Sequence, residues 1–101
     1  MKKINFQNYL KIYTKPQTMH EGGKYCVLGG LLKFLHYDKD IGGKTAFPSE
    51  SHFIEVIQWN FGVTLDKEKV EDIIEKNDNG VFGEAQEELY FLLKENGLTN
   101  E

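Results

Sequence analysis

Arginine is absent from this chain; all twelve of its basic residues are lysines. Arginine supplies the planar fork that reads guanine edges and clamps phosphates in two-point fashion. Its absence, together with a net charge of −4, argues against direct, sequence-specific binding of nucleic acid. Cysteine is nearly absent as well: Cys26 is the only one. A lone cysteine cannot form an intramolecular disulfide, which favours a reducing compartment and gives the expectation of a cytoplasmic protein. The first residues, Met1 to Tyr9, contain no apolar signal core. The longest apolar run, residues 25–35, is broken by Lys33 and falls short of the roughly 20 residues of a membrane span. No membrane association is expected.

What is present reads as one folded domain, residues 1–101. The chain is 40% hydrophobic and 13% aromatic, too apolar to remain disordered. Its charge is split. Residues 1–48 carry eight lysines against three acids, a balance of +5, whereas residues 49–101 carry four lysines against thirteen acids, a balance of −9. Such a split accommodates two halves that neutralise each other, or an acidic face offered to a basic partner.

Hydrophobic spacing predicts an all-α fold of four or five helices. The first covers about 3–14, with Ile4, Tyr9, Leu10 and Ile12 as an imperfect stripe, and stops before Pro16. The second, about 24–36, is apolar on nearly every side and so is expected at the centre of the bundle. Gly29 and Gly30 within it suggest close approach of another helix. A third helix starts near Pro48 and Ser49 and stops at Gly62. Phe53, Ile54, Ile57 and Phe61 lie on its apolar stripe, flanked by His52, Val56 and Trp59, and Trp59 is expected in the core. Asp66 or Thr64 caps a fourth helix to about residue 77, with Val70, Ile73 and Ile74 inward. A fifth spans about 84–96, with Ala85, Leu89, Leu92 and Leu93 inward. Residues 44–47 and 80–83 are the two short pieces able to form a minor β-hairpin.

Four candidate sites follow from the residue types. Cys26 opens the second helix, where the helix dipole would stabilise a thiolate and nearby glycines would admit substrate. His36 lies about ten residues along the same helix, about 15 Å away, and cannot serve as its base. His52 is the remaining candidate base, and a cysteine-dependent hydrolase or transferase using Cys26 with His52 is the alternative expectation for function. His20, Cys26, His36 and His52 lack the close pairwise spacing of zinc ligands, so no metal is expected. Residues 75–86 resemble a calcium loop, with oxygen side chains at positions 1, 3 and 5 and Gly80 at position 6. Glu75 opens it in place of aspartate, and Gln86 closes it without the bidentate carboxylate, so a turn joining two helices is the stronger reading. Asp72, Glu75, Glu84, Glu87 and Glu88 lie in the acidic half and are the expected partner-binding residues. The leading expectation is therefore a non-enzymatic interaction module with no cofactor, meeting a basic surface such as that of a nucleic-acid-binding protein.

Tyr25-Cys26-Val27-Leu28-Gly29-Gly30-Leu31, then Ile57-Gln58-Trp59-Asn60, then Val70-Glu71-Asp72-Ile73-Ile74 form an ordered series. In this series the middle of the chain resembles a family of small bacterial and phage helical domains. That family has a cysteine followed by small residues on a buried helix, then a Trp-Asn segment, then an acidic amphipathic helix. The resemblance covers about half the chain and departs from the family at Gly30, where alanine is usual, and at the inserted Phe61-Gly62-Val63. It implies an all-helical fold and a phage or mobile-element provenance, and no activity.

Overall fold

The computed structural model describes residues 3–12, 27–35 and 49–99. Among them are five helices: α1 (Phe6–Ile12), α2 (Val27–Phe34), α3 (Glu50–Phe61), α4 (Lys67–Asp78) and α5 (Phe82–Glu95). The expected all-α bundle is what forms. Its second helix is the buried one: Val27, Leu28, Gly29, Gly30, Leu31 and Leu32 are all shielded from solvent. Such a helix has no polar face to offer water, so it must be covered on several sides. α1, α4 and α5 pack on it, and α4 also packs on α3 and α5.

Each helix boundary has a local cause. At the start of α1 the Asn5 side chain accepts the Asn8 amide at 3.1 Å. Ser49 caps α3 by accepting the His52 amide at 3.2 Å, so the helix proper begins at Glu50. Asp66, not Thr64, caps α4, accepting the Glu68 amide at 2.9 Å. α3 ends at Gly62. α4 ends in a reverse turn through Gly80, at φ 78°, a conformation that costs any side-chain-bearing residue. There the Val81 amide reaches back to the Lys76 carbonyl at 2.9 Å and the Gly80 amide to Asn77 at 3.1 Å. α5 ends in the same double-bonded turn, with Leu98 bonded to the Leu93 carbonyl at 2.9 Å and Gly97 to Lys94 at 3.0 Å.

The turn after α4 is the helix–turn–helix connection expected there, and it corrects the hairpin expected at 80–83. Residues 75–78 belong to α4 and residues 82–86 to α5, so only 79–81 form a loop. A twelve-residue calcium loop over 75–86 is therefore not formed, and Asn77, one of its supposed ligands, is buried. Residues 80–83 likewise form a turn and a helix start, not half of a hairpin, and 44–47 lie outside the described residues. Among the described residues the extended pairing is a parallel bridge between Ile4 and Thr99, with the Ile4 amide on the Leu98 carbonyl at 2.7 Å.

The core gathers Phe6 and Tyr9 from α1, Phe53, Val56, Ile57 and Phe61 from α3, Val70 and Ile73 from α4, and Ala85, Leu89, Leu92 and Leu93 from α5 around α2. Trp59 is not among them: it is 66% exposed, which overturns its expected place in the core. The buried stripe of α3 runs through 53, 56, 57 and 61, and position 59 falls on the opposite side of that helix.

Candidate functional site

The three-residue connection makes α4 and α5 an antiparallel hairpin. Two ion pairs cross from one helix to the other: Lys69 pairs with Glu95 at 2.5 Å, and Lys76 pairs with Glu88. Lys76 also donates to Asp72 at 3.1 Å, one turn back on its own helix. Asp72 and Glu88 are thus brought together across the hairpin and bridged by one ammonium.

The charges of this cluster tune one another. The carboxyl of Asp72 is held below the usual carboxylate value, first by its hydrogen bond with Glu88 and then by the Lys76 ammonium. Lys76 is pushed above the ordinary lysine value, first by Glu88 and then by Asp72. Lys69 is raised in the same sense by its hydrogen bond to Glu95.

Beside this cluster a groove of about 350 Å³ runs between the two helices. Its apolar part is Ile73, Leu92 and Phe91. Ile73 and Leu92 are buried, whereas Phe91 is 54% exposed. The rim carries five carboxylates, those of Asp66, Glu68, Asp72, Glu88 and Glu95, against the single lysine Lys69. Lys69 and the neighbouring Lys76 offset part of this charge, and the surplus of carboxylates leaves a net negative potential over an apolar floor.

The five acids expected to bind a partner do not form one patch. Asp72 and Glu88 border the α4–α5 groove. Glu87 borders a second, smaller groove with Phe6, Leu10 and Tyr90 between α1 and α5. Glu75 and Glu84 are exposed and line neither. Three further acids, Asp66, Glu68 and Glu95, border the first groove and were missed in the sequence reading. Glu88, Phe91, Leu92 and Glu95 recur at helical spacing on α5, and that mixed acidic–apolar stripe was the signal that could have found it.

His52 lies in the first turn of α3 with its ring exposed, and its amide is used by the Ser49 cap. Cys26, His20 and His36 lie outside the described residues, and so does the pairing of Cys26 with His52. Among the described residues no group of three or more His, Cys, Asp or Glu side chains is placed to hold a metal ion, and no helix is long and apolar enough to cross a membrane. In comparisons with known proteins, no family model, no curated protein and no solved structure matches this chain.

Proposed function

We propose that this chain is a non-enzymatic protein-interaction module that presents an acidic C-terminal face to a basic protein partner. The observation that supports this most directly is the α4–α5 groove, where five carboxylates surround an apolar floor and a half-exposed Phe91. Exposed Glu75, Glu84 and Glu87 extend the negative field over the rest of the hairpin. Large aromatic side chains ringed by charge are typical anchors of protein interfaces, and the charges set partner choice and encounter rate. A partner that itself binds nucleic acid would present the matching basic surface, and the module would then act as an accessory or inhibitor protein in the cytoplasm. Its phage or mobile-element provenance rests on the resemblance of residues 25–31, 57–60 and 70–74 alone.

The test is affinity capture at low ionic strength with the full chain and with the charge-reversal variant E68K/E95K, which inverts two exposed carboxylates of the groove rim. Basic proteins retained by the wild type, released by salt and lost in the variant are the expected result. Retention of nothing that salt releases would overturn the reading.

A further inference from the structure

We infer that the α4–α5 groove takes a basic amphipathic helix of a protein partner, one apolar side chain seated on Phe91 and cationic side chains a turn to either side engaging Glu88 and Glu95. This inference rests on the acidic-face reading above and specifies its occupant. On α5, Glu88, Phe91, Leu92 and Glu95 stand at helical spacing on one stripe. Seven residues separate the two glutamates, a distance of about 10 Å at 1.5 Å per residue. A cation–apolar–cation pattern on another helix repeats with the same rise, so it matches the stripe without distortion. The seam of an antiparallel hairpin is also the place where a third helix packs its ridges.

The charges and Phe91 together select among occupants. A second copy of this chain seated on the same face would set carboxylate rims against each other, in a chain that already carries −4. Nucleic acid is repelled for the same reason. A metal ion finds no cluster of ligands among the described residues, and a polycation without apolar residues leaves Phe91 in water. Glu88 is already paired with Lys76, so the partner's cation there joins a shared pair, whereas the cation that now holds Glu95 is Lys69, in a pair about half exposed on both sides. Exposed pairs of this kind contribute little, so a partner's lysine displaces Lys69 at small cost.

The experiment titrates three probes into the isotope-labelled full chain at low salt: a Leu/Lys peptide with leucines at helical spacing, a peptide of the same composition shuffled to lose that stripe, and polylysine. The amphipathic peptide is expected to bind about tenfold more tightly than its shuffled form. It should become helical on binding and move amide signals of α4 and α5. Phe91→Ala should remove that preference while leaving polylysine binding unchanged. Phe91 is more than half exposed, so the variant keeps the fold, which circular dichroism verifies. Equal affinity for both peptides, with no effect of Phe91→Ala, would overturn the inference while leaving the acidic face intact. A bound peptide that stays non-helical would overturn it too, as would self-association through α4 and α5. Failure of all three probes to bind would overturn both readings.

Discussion

The Asn77 side-chain oxygen accepts the Val27 amide at 2.9 Å, tying the last turn of α4 to the first residue of α2. From the other side, the Tyr9 hydroxyl of α1 donates to the Val27 carbonyl at 2.8 Å. The amide and the carbonyl of one residue are thereby held by two other helices, and both contacts are buried. A helix N-terminus leaves its first amides without partners, and a buried one must be satisfied from elsewhere. Asn77→Ala is expected to cost about 1–2 kcal/mol and Tyr9→Phe about 1 kcal/mol. The Asn77 cost lies at the low end because its Nδ2 has no hydrogen-bond partner among the described residues. Urea midpoints would read both, and Asn79→Ala, at an exposed turn position, should leave the midpoint nearly unmoved.

Two glycines three residues apart should respond in opposite directions. Gly80 sits at φ 78° with open space where a Cβ would go, so the cost of Gly80→Ala is purely conformational, about 1–2 kcal/mol. Gly83 lies inside α5, also with nothing within 4 Å of an added Cβ. Gly83→Ala should stabilise by about 0.5 kcal/mol through helix propensity and a less free unfolded chain. Thermal melts of the two variants against wild type test the pair, and a destabilised Gly83→Ala would contradict the open space described around it.

Trp59 offers a direct spectroscopic check. It is the sole tryptophan and 66% exposed, so its fluorescence should be quenched by acrylamide almost as readily as that of free tryptophan. Trp59→Ala should change stability by less than about 0.5 kcal/mol, whereas Phe53→Ala, fully buried on the same helix, should cost about 3–5 kcal/mol.

The Lys76 cluster gives a pH dependence whose sign is set by its charges. Lys76 is raised, so its contribution is full below the ordinary lysine value of 10.5 and is lost as pH climbs through the raised value. Asp72 is lowered, so its contribution is present above the ordinary 3.8 and is lost as pH falls through the lowered value. The advantage of wild type over Lys76→Met should therefore be greatest between those ordinary values and shrink on acidification. Because the groups are partly exposed, added salt should shrink it as well. Urea unfolding of both proteins across pH, at two salt concentrations, measures this.

The helices were legible because each carries a strong local signal. Ser49 and Asp66 are N-cap residues, Gly62 and Gly97 are stops, and the 85–89–92–93 spacing names the buried side of α5 outright. Trp59 was misread because bulk and hydrophobicity were weighed without its angular position: the buried stripe is complete without it. Asn77 was read as a turn former for a similar reason. Its local signal, next to Asp78, Asn79 and Gly80, is that of a loop, while its actual bond reaches fifty residues back along the chain. The groove was only partly foreseen: the spacing of Glu88, Phe91, Leu92 and Glu95 discloses its α5 side, but that Asp66, Glu68 and Asp72 border the same groove follows from the pairing of α4 with α5, which no spacing within one helix discloses.

The bridge between Ile4 and Thr99 has a consequence for the order of events during synthesis. Ile4 is fully buried, yet the backbone carbonyl that receives its amide belongs to Leu98. While the chain is being made, the segment around Ile4 must wait until residue 98 has been added before its backbone contact can form. The α4–α5 hairpin needs only neighbours in sequence and can assemble early, but contacts of such long separation carry the largest loop-closure cost. A ribosome stalled before residue 98 would hold a chain whose α1 has lost the partner of its entry segment, so its degree of completion could be read from protease sensitivity at residues 3–12.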